Sequence, residues 1–266
     1  MYDVSYKRAD AVPAALEAFS KGDDPKFVAG GQTLIPTMKA RLAAPSELVD
    51  VSKIPDLIGI CEDGDLVIIG ASTTHAAVND DAIVSAKIPG LAALAGLIGD
   101  PMVRHRGTIG GSVANNDPSA DYPAAVLALG ATVRTDRREI CADDFFVDMF
   151  ETALEEDELI TAIAFPVPKR ATYAKFPNPA SRYAMVGVMV AELDDGSVRV
   201  AVTGAGSSGV FRWKAAETAL ATSGMSAGAL DGLSVDADDM LEDLHGSGEY
   251  RAHLVSVMAK RAVAAL

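Results

Sequence analysis

Hydrophobic residues in this chain come in short runs whose spacing distinguishes helices from strands. Val12, Leu16 and Phe19 recur at helical spacing, so we predict a helix over 11–20, whereas residues 47–51 alternate as a strand. The apolar stretches are short or broken, and 91–98, for example, is much shorter than the roughly 20 residues that span a bilayer. The pattern therefore predicts a globular protein without an integral membrane segment, and we expect it in the cytoplasm.

Other runs extend this pattern of mixed helices and strands along the chain. Further helices are predicted over 34–41, from 75, and over 87–98, 123–129, 212–221 and 251–266. Strands are predicted over 27–29 and 131–135, with hairpins over 57–69 and 183–202. The glycine-rich and polar stretch 106–121 has neither pattern, so we predict no helix or strand there.

Two glycine loops are the first candidates for chemistry. Gly30-Gly31-Gln32-Thr33 lies between a predicted strand and a predicted helix, where backbone amides can point at a phosphate. The second loop, 108–121, is long for a compact domain and carries hydroxyls, amides and two carboxylates. Each could be an ordinary turn. Their occurrence in separate segments favours a ligand held between two domains.

A third glycine run gives an alternative. Gly204-Ala205-Gly206-Ser207-Ser208-Gly209 matches the G-x-G-x-x-G fingerprint of dinucleotide-binding folds, with Asp236 as a distant ribose-binding acid. On this interpretation the chain is a nicotinamide-dependent dehydrogenase. However, the preceding strand reads as half of an antiparallel hairpin, and little chain follows to build a parallel sheet.

Charge and cysteine content narrow the function further. The formal net charge is −14, which argues against nucleic acid as a partner. Cys61 and Cys141 are the only cysteines, too few to hold an iron–sulfur cluster or a cysteine-rich zinc site. The four histidines, including His75, show no metal-ligand spacing and are interpreted as surface or capping residues. We therefore predict no metal site, and no acid–base constellation identifies a catalytic residue.

Taken together, the two loops and their order resemble a known family. Segments 29–34, 108–115, 117–123, 157–160 and 173–184 are similar to the medium, FAD-binding subunit of the molybdenum hydroxylases, the group of aerobic carbon monoxide dehydrogenase and xanthine dehydrogenase. The resemblance implies an α+β fold: a two-subdomain FAD-binding fold of the vanillyl-alcohol-oxidase/p-cresol-methylhydroxylase type, followed by a C-terminal α+β domain with an antiparallel sheet. It places FAD-binding subdomain 1 over 1–55, FAD-binding subdomain 2 over 56–168 and the C-terminal domain over 169–266.

The resemblance also implies which residues bind FAD. The set comprises Ala29, Gly30, Gly31, Gln32, Thr33, Leu34, Val103, Gly107, Thr108, Gly111, Ser112, Asn115, Asp117, Asp121, Leu159, Ile160 and Tyr183. Within it, the first loop would bind the diphosphate, and Asp121 would accept a hydrogen bond from a ribose or ribitol hydroxyl or cap the helix after it. Leu159, Ile160 and Tyr183 would lie near the isoalloxazine. Some relatives have a lysine near the flavin at the position of Pro177, so a contact from Lys175 is left open.

The implied function is that of an oxidoreductase subunit that transfers electrons. A large molybdenum–pterin subunit would oxidise the substrate, and a small [2Fe–2S] subunit would pass the electrons to the FAD of this chain, which gives them to an external acceptor. The expected assembly is a dimer of heterotrimers. A non-catalytic assembly module that has lost its cofactor is a further alternative, against which the intact glycine loops argue.

Overall fold

The computed structural model describes residues 1–266, with four β-sheets and flanking helices. The helices are α1 (Val12–Ser20), α2 (Leu34–Lys39), α3 (His75–Asp80), α4 (Ala82–Lys87), α5 (Pro89–Gly96), α6 (Pro101–Arg104), α7 (Ile109–Asn115), α8 (Tyr122–Ala128), α9 (Ala142–Phe145), α10 (Lys214–Ser223) and α11 (Gly248–Ala264). The strands are β1 (Ser5–Arg8), β2 (Pro25–Val28), β3 (Glu47–Asp50), β4 (Ile60–Asp63), β5 (Leu66–Gly70), β6 (Thr132–Thr135), β7 (Glu139–Cys141), β8 (Phe146–Asp148), β9 (Glu151–Thr152), β10 (Ile160–Pro166), β11 (Arg170–Pro177), β12 (Ala184–Glu192), β13 (Val198–Thr203) and β14 (Phe211–Arg212). No helix is both long enough and apolar enough to cross a membrane.

The first sheet is parallel, with strand order β1-β3-β2. Helix α1 covers it through Ala15 and Phe19, and Phe19 stacks on Phe27 with ring centroids 4.4 Å apart. The prediction missed β1 because all four of its residues are exposed, so the segment carries no alternating apolar pattern.

The second sheet has the order β4-β5-β10-β6-β7 and is antiparallel at every pairing. Its helices α3, α4, α5, α7 and α8 contribute to a core cluster of 31 buried residues. The helix predicted over 87–98 is present as α5, but it begins at Pro89, because Lys87 belongs to the end of α4. Ile88 between them leaves the helical conformation, as the residue before a proline is driven to do.

Helix α7 corrects the prediction that 106–121 contains no helix. Thr108 caps it by accepting a hydrogen bond from the Gly111 amide at 3.2 Å. Gly110 lets the helix lie directly against the second sheet, since a Cβ there would stand 2.5 Å from the Cβ of Ala71. Tertiary packing thus stabilises a helix whose two glycines disfavour it in isolation.

The third sheet is antiparallel, in the order β11-β12-β13-β14, and it confirms the predicted second hairpin. Helices α10 and α11 bury one face in a core cluster of 20 residues. Residues of the other face, among them Ala171, Met189 and Ala201, join the core of the second sheet. The domain limits at 55 and 168 stay a prediction.

The dinucleotide interpretation of Gly204–Gly209 is wrong on structural grounds. Strand β13 before it runs antiparallel to both of its neighbours, and the loop leads into β14 rather than directly into a helix. A dinucleotide fingerprint needs a parallel strand followed at once by a helix whose N-terminus meets the pyrophosphate. Gly204 is instead required for packing, because a Cβ there would lie 2.4 Å from the carbonyl oxygen of Ala184. Asp236 caps a short 3₁₀ turn at Ala237–Asp239.

Candidate cofactor site

A cavity of about 520 Å³ lies between the first and second sheets, and Tyr183 lines it from the loop between β11 and β12 of the third sheet. Every residue that the resemblance assigned to cofactor binding lines this cavity: Ala29, Gly30, Gly31, Gln32, Thr33, Leu34, Val103, Gly107, Thr108, Gly111, Ser112, Asn115, Asp117, Asp121, Leu159, Ile160 and Tyr183. Its volume falls in the range of sites that hold small organic ligands. The structure therefore brings together segments that are far apart along the chain.

The first loop presents unused backbone donors to the cavity. Gly31 has a φ of +71°, and this turn carries the chain from β2 into α2. The amides of Gly31, Gln32, Thr33 and Leu34 donate no hydrogen bond within the protein. Gly30 lies against the opposite wall, where a Cβ would be 2.1 Å from the Arg106 carbonyl oxygen. Three or four adjacent amides in such a turn suit a phosphate group.

The second glycine segment contributes side chains rather than free amides. The Ile109 and Gly110 amides already donate to the carbonyl oxygens of Thr73 and Ala71, at 3.0 and 2.8 Å. Ser112 and the residues near the end of α7 line the cavity with a hydroxyl and amide groups. This wall is therefore suited to hydroxyl and amide recognition.

Asp121 is held at the cavity wall by two side chains of β11. Its carboxylate accepts a hydrogen bond from the Tyr173 hydroxyl at 2.6 Å and pairs with the Lys175 ammonium at 2.9 Å. Burial raises the pKa of Asp121, and Lys175 and Tyr173 oppose that shift. The alternative that Asp121 caps α8 is wrong, since its side chain accepts no amide of that helix. Lys175 does not line the cavity.

Leu159 and Ile160 are placed by a buried carboxylate beside them. Glu158 accepts hydrogen bonds from the Arg138 guanidinium at 2.8 and 2.7 Å and from the Thr135 hydroxyl at 2.8 Å. These contacts, led by Arg138, lower the pKa of Glu158 to about 2. Glu158 therefore anchors the start of β10 as an anion, and the two apolar side chains follow it into the cavity wall.

His75 is a cavity residue that the sequence did not reveal. The interpretation of His75 as a surface or capping residue is wrong, because it is 5% exposed and lines the cavity beside Gly107. Burial, with a smaller effect from the charge of Arg104, lowers its pKa to about 4, so the imidazole is neutral near pH 7. Its Nδ1 has no hydrogen-bond partner. No motif marks this position, since only the fold brings His75 to the cavity.

Tyr183 lies at the edge of the cavity and is 56% exposed. Partial burial, and then the charge of Asp117, raise the pKa of its phenol, which is therefore protonated near pH 7. Other lining residues were missed because they are ordinary apolar or small residues in sequence. They include Ser72, Ile98, Gly99 and Leu154.

Comparison with known proteins identifies the class of this site. Residues 2–168 match the family described as FAD binding domain in molybdopterin dehydrogenase. The chain is 36% identical over 274 residues to the carbon monoxide dehydrogenase medium chain of Afipia carboxidovorans, covering 97% of this chain and 94% of that one. It is 35% identical over 272 residues to the nicotine 6-hydroxylase medium subunit of Paenarthrobacter nicotinovorans, covering 98% and 96%.

Solved structures give the same result. A chain of reconstituted CO dehydrogenase from Oligotropha carboxidovorans superposes with a TM-score of 0.91 at 34% identity, covering 99% of this chain and 97% of that one. A chain of quinoline 2-oxidoreductase from Pseudomonas putida 86 superposes with a TM-score of 0.87 at 26% identity, covering 99% and 96%. The fold and the site thus define an FAD-binding oxidoreductase subunit. This chain belongs to the FAD-binding family of molybdopterin dehydrogenases, which confirms the resemblance and the mixed α and β fold.

The residues of the cavity fit FAD. The unpaired amides of the first loop can donate hydrogen bonds to a diphosphate, and a Cβ at Gly30 would collide with the Arg106 carbonyl oxygen opposite. The opposite wall offers Ser112, Asn115 and Asp121 to hydroxyl groups. When bound, FAD supplies redox chemistry that the protein side chains lack.

Proposed function

We propose that this chain is the electron-transfer subunit of a molybdenum-containing hydroxylase or dehydrogenase. It accepts electrons from a [2Fe–2S] subunit and passes them to an external acceptor. The cavity that gathers all the assigned residues is the observation that carries this proposal. In this role the protein binds, orients and tunes the cofactor, so no acid–base residue of its own is required.

We assign the parts of FAD by the chemistry of the two walls. The free amides of the first loop bind the diphosphate, and Asp117 and Asp121 with Ser112 and Asn115 bind hydroxyl groups. The apolar side chains of Leu159 and Ile160 lie near the isoalloxazine, with Tyr183 at its exposed edge. Val103 and Gly107 line the same cavity, and we assign them to the wall along the cofactor.

The proposed assembly follows from the kind of chain to which this one is similar. Relatives are named medium chains or medium subunits, a term that places them between a larger and a smaller chain. We propose a large molybdenum–pterin subunit and a small [2Fe–2S] subunit as partners, arranged as a dimer of heterotrimers in the cytoplasm. The cysteine content supports separate cluster-bearing chains, because two exposed thiols cannot hold a cluster.

FAD binding is tested on the purified full-length chain. We expect flavin absorption bands, release of FAD on denaturation, and uptake of FAD by the cofactor-free protein. A folded chain that takes up no FAD contradicts the assignment of the cavity.

Electron transfer is tested on the complex purified with its partners. Rapid mixing with a reducing substrate should bleach the flavin only when the [2Fe–2S] subunit is present. Equal bleaching rates with and without that subunit contradict the proposed route, even where FAD binding is normal.

A further inference from the structure

One segment of the cavity wall is held by the third sheet rather than by its own domain. This wall segment, residues 117–121, lines the cavity through Asp117, Ala120 and Asp121. The Gly204 amide donates to the Pro118 carbonyl oxygen at 2.7 Å, and the Thr203 hydroxyl donates to that of Ala120 at 2.6 Å. Both donors come from the end of β13, more than 80 residues further along the chain.

Strand β11 reaches the same segment with two more side chains. Tyr173 and Lys175 are two residues apart and therefore project from one face of the sheet. Both end on the carboxylate of Asp121, and the Lys175 ammonium also donates to the Leu97 carbonyl oxygen at 3.0 Å. Leu97 directly precedes the cavity residues Ile98 and Gly99, so Lys175 connects two parts of the wall.

The buried ion pair between Lys175 and Asp121 contributes little net stability, which points to a role in the site. The side chains of Lys175 and Asp121 are only 3% and 4% exposed, and taking both charges out of water offsets most of their attraction. Such a pair does fix geometry, because removing either partner leaves a buried charge without compensation. Lys175 and Tyr173 favour the charged form of Asp121 against the effect of burial, and the carboxylate keeps lone pairs that can accept a hydroxyl.

We propose that Tyr173, Lys175 and Thr203 are positioning residues for the cofactor, through which the third sheet sets the shape of the cavity wall. This inference rests on FAD as the occupant of the cavity. The three residues lie outside the region, 2–168, that matches the FAD-binding family. On this view the C-terminal part of the chain completes the FAD site and does not only cover it.

The test uses full-length variants with a matched control. Thr203→Val and Tyr173→Phe each remove one hydroxyl donor to the wall segment, that of Thr203 being shared between the Pro118 and Ala120 carbonyl oxygens, while nearly keeping side-chain shape. Thr172→Val is the control, since the Thr172 hydroxyl donates to the Ala262 carbonyl oxygen at 2.7 Å within the C-terminal part and does not reach the wall. We measure the Kd for FAD, the visible circular dichroism of bound flavin and the melting temperature of the cofactor-free chain.

Thr203→Val and Tyr173→Phe should each raise the Kd for FAD by about 3- to 10-fold, the equivalent of one net hydrogen bond. The dichroism of the bound flavin should also change. Lys175→Met should weaken FAD more than either, and Lys175→Arg, which keeps the charge, should restore part of the loss. Thr172→Val should lower the melting temperature without changing the Kd or the dichroism.

The inference is overturned if Thr203→Val and Tyr173→Phe match Thr172→Val in Kd and dichroism. These two mild variants decide the matter even if Lys175→Met fails to fold. Failure of the wild-type chain to bind FAD contradicts the proposed function itself, whereas wild-type binding with unaffected variants removes only the positioning role.

Discussion

The contact between the two loops makes Gly30 the most sensitive position of the cavity. Gly30 has no positive φ, so alanine is compatible with its backbone and only the added Cβ matters. That Cβ would lie 2.1 Å from the Arg106 carbonyl oxygen and 2.7 Å from the Gly107 Cα, both backbone atoms. To reach an ordinary contact of 3.4 Å, the loops must move apart by roughly 1.3 Å.

The cost of Gly30→Ala can be bounded from this geometry. Overpacking of a close contact typically destabilises by about 1–3 kcal/mol. If the strain falls on the cavity, FAD binding weakens by about 5- to 150-fold, since 1.4 kcal/mol corresponds to a factor of ten. Gly107 directly precedes Thr108, and both residues line the cavity opposite Gly30. A displacement of Gly107 therefore moves that wall of the cavity as well.

The assay compares Gly30→Ala with Gly228→Ala by FAD fluorescence titration and by urea denaturation of the cofactor-free chain. Gly228 is exposed, has no positive φ, and its Cβ would lie 3.7 Å from the nearest atom, the Ser226 hydroxyl oxygen. The control should bind FAD as the wild type does. A Kd for Gly30→Ala within twofold of the wild type would refute the argument that backbone proximity defines this site.

Three further predictions concern buried polar groups in the cofactor-free chain, each measured by urea denaturation. The pKa of His75 is lowered from 6.5 to about 4, so on acidification the unfolded chain takes up this proton before the folded chain does. The free energy of unfolding should therefore fall by up to about 3 kcal/mol between pH 6.5 and pH 4. His75→Asn should reduce this loss of stability. The pKa of Glu158 is lowered from 4.5 to about 2 by hydrogen bonds led by Arg138, so its stabilisation is present above pH 4.5 and lost toward pH 2. Glu158→Gln should lower stability at pH 7 and flatten the acid transition, and an unchanged acid transition would contradict the assignment. Asn116, 1% exposed with a φ of +42°, donates to two carbonyl oxygens of the β8–β9 hairpin at 2.8 and 2.9 Å. Asn116→Gly keeps the backbone conformation and should cost about 2–4 kcal/mol, whereas a cost below 1 kcal/mol would show that water replaces those bonds.

Sequence patterns located most of the helices and half of the strands, because apolar spacing reflects the face that an element buries. The helix over 11–20 has one buried face, and the strands of the second hairpin are buried on both faces, so the first shows helical spacing and the second near-continuous apolar runs. Strand β1 and helix α7 were missed for opposite reasons: β1 has no buried face, and α7 depends on glycine packing against Ala71. A short window of sequence therefore shows no pattern that would indicate either element.

The residues of the cofactor site likewise fall into those that the sequence could assign and those that only the fold placed there. Residues 29–34 and 108–121 could be assigned from sequence because glycines, hydroxyls and carboxylates in that order are unusual and carry the family resemblance. His75 could not, because a single histidine near a helix start carries no sign of burial, and its lowered pKa arises from surroundings supplied by distant segments. The sequence leaves a flavin contact from Lys175 open, and the structure places its ammonium on Asp121 and the Leu97 carbonyl oxygen.

The sequence alone thus determined the family, the cofactor and the loops that line the site, since these depend on residue types in a fixed order. Tertiary structure decided what those residues contact. It gave the Gly204–Gly209 run a packing role in place of a nucleotide-binding one, because strand direction depends on pairing with distant strands. It also brought the third sheet onto the cavity wall at Asp121, because hydrogen bonds between segments far apart in the chain form only once the three sheets have assembled.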